Sequence, residues 1–113
     1  MQIVHDKITL DELKKMSEKM DGSLVKAVVD VENHIMAVDA GMHADEEMLL
    51  LEEGSLQENL WGINIYPHKS EESWIEFDSM INLRPSQGNR TRGVDDLQMQ
   101  EKIKKIVKAL VVQ

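Results

Sequence analysis

The sequence lacks cysteine altogether, and it has only two prolines and four aromatic residues. Without cysteine the chain forms no disulfide and no thiolate-ligated metal or iron–sulfur centre. Positive charge is also scarce, since 13 lysines and arginines stand against 21 acids and give a net charge of −8. Such a field repels polyanions, which argues against nonspecific binding to nucleic acid or to an anionic membrane surface.

Long apolar runs are missing as well. The longest runs, such as 48–51, have only four residues, whereas a membrane-spanning helix needs about 20 apolar residues. The first residues, MQIVHDKITL, do not have the basic and then apolar pattern of a secretory leader. We therefore expect a cytoplasmic protein without a membrane partner.

The remaining composition is that of a folded domain. Hydrophobic residues make up 42% of the 113 positions and charged residues 30%, which is typical of a globular chain. This length predicts one domain over residues 1–113. We expect an α+β fold in the order α-β-β-α-β-β-α, in which two hairpins form a mostly antiparallel sheet packed by helices.

Hydrophobic periodicity assigns the seven elements. In the first helix, Thr9 and Glu12 have the spacing of a capping box, and in the last, Asp95 and Gln98 have it. Both of these helices are strongly amphipathic, so they are expected to share one face of the sheet. The predicted helices are 10–20, 45–53 and 96–111, and the predicted strands are 24–31, 35–39, 60–66 and 74–84.

The arginines are the most distinctive chemical feature. All three lie between positions 84 and 92. The surrounding segment 79–94 holds two glycines and no acid. Arginine meets a carboxylate or phosphate with a two-pronged fork, and glycines allow backbone N–H groups to converge on an anion. The candidate ligand-binding residues of this segment are Arg84, Gln87, Asn89, Arg90 and Arg92.

The same arginines have an alternative, structural interpretation. The chain has many acids with which they could pair, and such pairs would fix the loop instead of binding a ligand. The acids considered as partners are Glu46, Glu47, Glu52 and Glu53.

A second candidate site consists of Glu76 and Asp78 on the predicted strand 74–84. Residues two apart share one face of a strand and lie about 7 Å from each other. Asn64 and Tyr66 are expected across the ladder, and Gly62 is expected to leave room beside Asp78. Two carboxylates near an arginine suit acid–base catalysis or a divalent cation, although exposed strand faces often carry such acids.

Metal and nucleotide motifs are weak or absent. His43 and Asp45 stand at the start of the second helix and are weak candidates for metal ligands. A histidine in a loop beside a helix cap is the simpler interpretation. We find no glycine-rich nucleotide loop and no serine nucleophile elbow, and we expect no cofactor.

Two segments give the chain a family resemblance. NLWGINIYP and INLRPSQGNRTRGV resemble a family of small bacterial and archaeal proteins classed only as a domain of unknown function. The resemblance covers roughly residues 8–110 and implies no catalytic residue.

Three functions remain open at this point. The first is a binding module that holds an anionic small molecule, or an acidic or phosphorylated protein segment, at loop 84–93. The second is a small hydrolase or nuclease-like enzyme that uses Glu76 and Asp78 with the arginines. The third is a protein-interaction module without a small-molecule site. The sequence does not indicate the oligomeric state or the ligand.

Overall fold

The computed structural model describes all 113 residues and contains three α-helices and seven strands. The α+β order expected from the sequence is confirmed, with short strands added near both ends. The helices are α1 (Leu10–Ser17), α2 (His43–Glu52) and α3 (Leu97–Leu110). The strands are β1 (Gln2–Val4), β2 (Ile8–Thr9), β3 (Val25–Asp30), β4 (Ile35–Val38), β5 (Leu60–Ile65), β6 (Ile75–Glu76) and β7 (Val111–Val112).

Five of these strands form an antiparallel sheet in the order β1-β4-β3-β5-β6. The predicted hairpin of β3 and β4 is present, and the long β3 to β5 pairing lies at the centre. Separately, β2 pairs in parallel with β7, so that Ile8 lies opposite Val111. This small ladder joins the two ends of the chain.

One face of the sheet is covered by α1 and α3, as the amphipathic patterns predict. Leu13 and Ile103, both fully buried, pack with the odd-numbered valines of β3 in the main core of 19 residues. Thr9 and Glu12 form the predicted capping box. At α3 the prediction was wrong by one residue, because Asp96 caps the Gln98 amide while Asp95 accepts hydrogen bonds from the preceding loop.

The opposite face of the sheet carries α2. A smaller apolar cluster of Val28, Ala37, Leu50 and Leu60 fills the space between the helix and the strands. Beyond this cluster, towards β6, the same face is polar. None of the three helices has the length and apolarity that crossing a membrane requires.

The predicted strand 74–84 was wrong beyond its first residues, because only β6 pairs with β5. After Ser79 the chain turns into a 3-10 helix over Met80–Asn82, and Pro85–Gln87 forms another. The Asn82 side chain takes the place of a strand backbone, since it accepts from Gly62 N at 2.8 Å and donates to Gly62 O at 2.9 Å. The sheet hydrogen bonds of Gly62 are thus completed by a side chain.

Gly62 is required by this close approach. A Cβ atom at this position would lie 2.6 Å from Ser79 Cβ, which is far inside contact distance. The expected space beside Asp78 was therefore also wrong, since Ser79 and Ile81 occupy it.

Candidate functional site

Arg84 is held inside the fold. Its terminal nitrogens donate to Gln57 O at 2.7 Å and to Leu60 O at 2.8 Å, and its guanidinium lies 4.1 Å from the centre of the Trp61 ring. Burial lowers the pKa of Arg84, although the group stays charged. Arg84 thus anchors its loop to the residues that precede and begin β5.

Asn89 is a second anchor of the loop. It is 4% exposed, and its amide donates to Asn82 O at 2.7 Å and Gly93 O at 2.8 Å while it accepts from Asp95 N at 2.8 Å. Gln87 is exposed and makes one long bond of 3.4 Å to Glu58 O. Many backbone groups of the loop are therefore bonded within the loop, either to the Asn89 side chain or to other backbone atoms.

The other two arginines face solvent. The guanidinium of Arg90 makes no hydrogen bond or ion pair within the chain, and only its backbone N–H is held, by Asp95. Arg92 Nε donates to Asp78 Oδ1 at 2.7 Å, and the Arg92 side chain is 53% exposed. The expected pairs with Glu46, Glu47, Glu52 or Glu53 do not form. Of the three arginines, Arg92 alone joins an acid named as a candidate.

A row of polar side chains runs across β3, β5 and β6 on the face of the sheet that carries α2. Lys26 of β3 lies opposite Asn64 of β5, which lies opposite Glu76 of β6. Glu76 Oε1 accepts from Asn64 Nδ2 and from the Tyr66 hydroxyl, each at 2.9 Å. The bond to Glu76 raises the pKa of Tyr66. Asn64 and Tyr66 thus lie across the ladder from Glu76, as expected.

His43 contributes a buried imidazole to the same region. It is 7% exposed at the start of α2, and its Nε2 lies 2.7 Å from Ile63 O. Because a carbonyl oxygen only accepts, Nε2 carries the proton and the lone pair is on Nδ1, which makes no hydrogen bond within the chain. Burial lowers the pKa of His43, so its imidazole is neutral at pH 7.

The Asp78–Arg92 ion pair is close enough to His43 to act on it electrostatically. The charges that act on its imidazole belong to Lys26, Asp78 and Arg92. Together these groups form a polar cluster at the end of the α2 face. We define this polar cluster as Lys26, His43, Asn64, Tyr66, Glu76, Asp78 and Arg92.

One atom of the polar cluster is unsatisfied. Asn64 is 6% exposed, and its Oδ1 is buried with no hydrogen-bond partner, although its Nδ2 is bonded to Glu76. Leaving such an acceptor unpaired costs about 1–3 kcal/mol. A donor from outside the chain would recover this cost once a side-chain movement uncovers the atom.

The weak metal candidates do not come together. Asp45 is exposed in the first turn of α2, whereas His43 is buried and bonded to Ile63. No group of three histidine, aspartate or glutamate side chains is arranged to hold a metal ion. The polar cluster is therefore described by its hydrogen-bonding and charged groups.

The site residues named from the sequence did not include Lys26, and they gave no sign of the unsatisfied Asn64 oxygen. Lys26 stands in an otherwise valine-rich strand. The alternation of side chains along β3 could have indicated its place, because it puts Lys26 on the opposite face from Val25 and Ala27. On that face Lys26 lies in line with Asn64. The missing information was the pairing of β3 with β5, which is remote in the sequence.

The surface also bears on the interaction hypothesis. β1 and β6 are the edge strands of the sheet, and both are short. Several large apolar side chains are exposed outside the core, among them Met42, Met48 and Leu97. Their exposure does not identify a partner, so a protein-interaction role stays a prediction.

Comparison with known proteins assigns a family without an activity. A family model described as "Protein of unknown function (DUF5674)" matches residues 2–110, so the chain belongs to that family. The resemblance inferred from the two sequence segments is thereby confirmed. No curated protein and no solved structure matches the chain.

Proposed function

We propose that this family member is a small-molecule binding protein whose polar cluster holds a ligand with an anionic group next to a hydrogen-bond donor. A hydroxy acid or a phosphorylated polyol has this chemistry. Arg92 and Lys26 would bind the anionic group, and Asn64 Oδ1 would accept from the donor. The cytoplasmic location expected from the sequence stays a prediction.

The observation that carries this proposal is the buried, unpartnered Asn64 oxygen on the sheet face that also carries Lys26. Within the chain, Arg92 uses only Nε, so its two terminal nitrogens remain available as a fork for an oxyanion. Lys26 is half-buried and lies directly across the strand from Asn64. Lys26 and Asn64 thus lie on paired strands, and Arg92 is joined to the same region through its ion pair with Asp78, two residues beyond Glu76.

This proposal changes the residues expected to bind the anion. The terminal nitrogens of Arg84 and the side-chain amide of Asn89 are bonded to backbone atoms, so these residues shape the loop. Arg92 stays in the proposed site, and Glu76 and Asp78 fix the orientation of Asn64 and Arg92. Arg90 lies outside it, carries the same charge as Arg92 and is likewise exposed.

The test is an NMR titration of the protein with inorganic phosphate and with glycerol 3-phosphate. We expect shifts in the amides around Lys26, Asn64 and Arg92, and tighter binding of glycerol 3-phosphate because its hydroxyls can reach Asn64. Arg92→Lys should weaken binding about fivefold although the charge is kept, since lysine has no fork. Arg90→Lys is the matched control and should change nothing.

Two outcomes would contradict the proposal. If Arg90→Lys and Arg92→Lys weaken phosphate binding equally, the anions respond only to surface charge. If neither probe shifts the amides of the polar cluster at millimolar concentration, the cluster does not bind anions. Urea unfolding of both variants should give the same midpoint as the parent protein, which shows that a change in binding is not a loss of folding.

His43 favours a second candidate function, a hydrolase. A neutral imidazole with a fixed tautomer and a free Nδ1 can accept a proton from an attacking water. His43→Gln keeps a donor for Ile63 O but removes the base. A panel of nitrophenyl phosphates and esters tests this role: turnover lost in His43→Gln with phosphate binding retained supports it, and turnover absent from the parent protein rejects it.

A further inference from the structure

A cleft lies on the other side of β6, against α3. It has a volume of about 300 Å³, and it is lined by Glu71, Glu72, Trp74, Ile75, Lys104 and Lys108. Ile75 faces the main core on the α3 side of the sheet, whereas Glu76 belongs to the polar cluster on the α2 side. The cleft is therefore separate from the site proposed above.

The floor of the cleft is apolar and firmly held. Trp74 is 4% exposed and belongs to the main core, and its carbonyl accepts from Tyr66 N at 2.7 Å. Ile75 pairs with Ile65 in the sheet. The preceding loop is closed by a hydrogen bond from Ser73 N to Ser70 O at 3.0 Å. A ligand would thus meet a preformed surface.

The two walls carry opposite charges. Lys104 and Lys108 lie one turn apart on α3, an arrangement in which like charges repel each other. Lys108 takes part in no ion pair, and Lys104 has only an exposed partner, Glu101, at 3.4 Å. Glu71 and Glu72 on the facing wall are also unpaired. The cleft is therefore lined by two cations and two anions that form no ion pair with one another.

We propose that this cleft binds a zwitterion, namely a free amino acid with an apolar or aromatic side chain. Its carboxylate would lie between Lys104 and Lys108, its ammonium group would face Glu71 and Glu72, and its side chain would pack on Trp74. The volume is at the small end of the range for ligand sites. A simple anion is disfavoured by the glutamates, and a simple cation is disfavoured by the lysines.

The test is an NMR titration with L-phenylalanine and L-leucine. We expect shifts of the Trp74 indole N–H and of the amides in 71–75 and 104–108 at millimolar ligand. Lys108→Gln should weaken binding about fivefold, since one of two exposed charge contacts with the carboxylate is lost. Lys105→Gln, on the same helix but outside the cleft, is the control and should bind as the parent protein does.

Modified ligands separate the zwitterion from simpler alternatives. N-acetylphenylalanine lacks the ammonium charge and phenylalanine amide lacks the carboxylate, so each should bind more weakly than phenylalanine. Equal binding by N-acetylphenylalanine amide, which has neither charge, would show that only the apolar floor matters and would overturn the proposal. An absence of shifts with any of these ligands would overturn it too, whatever the phosphate titration shows at the polar cluster.

Discussion

Two fully buried carboxyl groups lie on the α2 side of the sheet, and their surroundings make one of them ionised and the other neutral. Asp30, at the end of β3, accepts from Ser55 Oγ at 2.6 Å, from Asn33 Nδ2 at 2.8 Å and from two backbone amides at 3.0 Å. Glu46, on α2, accepts only from Ala40 N at 3.0 Å, and its Oε1 has no partner. Both residues are 0% exposed.

The difference shows that hydrogen bonds, and not burial alone, decide whether a carboxyl group is charged. Burial by itself raises the pKa of Asp30, but the hydrogen bonds from Ser55, Asn33 and Glu32 outweigh it and hold the pKa below its usual value. For Glu46, burial dominates and raises the pKa to about 9. At pH 7 the fold therefore contains one buried carboxylate and one buried carboxylic acid.

The largest expected effect on stability comes from removing the carboxylate of Asp30, which accepts four hydrogen bonds. Asp30→Ala leaves the donors of Ser55, Asn33 and Glu32 without their acceptor, so we expect a loss of about 3–4 kcal/mol in the free energy of unfolding. Equilibrium urea unfolding at pH 7 measures it. Glu32→Ala, at an exposed neighbouring position, should stay within about 0.5 kcal/mol. Equal effects of the two substitutions would mean that the hydrogen bonds to Asp30 contribute no stability.

The next effect has the opposite sign. Glu46 is protonated in the folded protein and ionised in the unfolded chain at pH 7, so its contribution to stability is present below about pH 4.5 and is lost as the pH rises to about 9. Glu46→Gln stays neutral and should raise the free energy of unfolding by about 2–3 kcal/mol at pH 7.

Urea midpoints at pH 5, 7 and 9 test this assignment. The parent protein should lose stability across the series relative to Glu46→Gln, and the two should converge at the acid end. Glu52→Gln, at an exposed position of the same helix, should follow the parent. A constant difference between the parent and Glu46→Gln at all three pH values would show that Glu46 does not change its protonation on unfolding.

The smallest expected effect comes from a substitution that leaves Asp30 with fewer hydrogen bonds, as Glu46 has. Ser55→Ala removes one of four hydrogen bonds to a charged acceptor and should cost about 1.5–2 kcal/mol. It should also raise the pKa of Asp30, so that acid unfolding below about pH 4 begins at a higher pH. Ser70→Ala, in an exposed loop, is the control. An unshifted acid midpoint would indicate that the Ser55 bond does not favour the charged form.

Local patterns in the sequence predicted the helices and the first hairpin well. The capping box of Thr9 and Glu12 and the apolar stripe of α3 are properties of adjacent residues, so they can be read without knowledge of the fold. The alternation of apolar and polar residues over 74–84 predicted a strand that is too long. The alternation continues past Ser79, but there the Asn82 side chain replaces a strand backbone as the hydrogen-bond partner of Gly62.

The candidate site was only partly predictable, for a related reason. The spacing of Glu76 and Asp78 placed these two on one strand face, but nothing local indicated that His43 and Lys26 share their region. Their proximity depends on the pairing of β3 with β5 and on the packing of α2 over the sheet. The buried acceptor Asn64 Oδ1 and the protonated Glu46 are likewise consequences of tertiary burial.

The parallel ladder of β2 and β7 has a consequence for biosynthesis. Its two strands come from opposite ends of the sequence, and Lys7 Nζ also donates to Ala109 O at 2.8 Å. During translation this contact has to wait until residues 111–112 have left the ribosome, so β2 stays without its partner strand while residues 10–110 are being made. The nearness of these segments also suits circular permutation, in which the two ends are linked and new termini are opened in the exposed turn at 68–73.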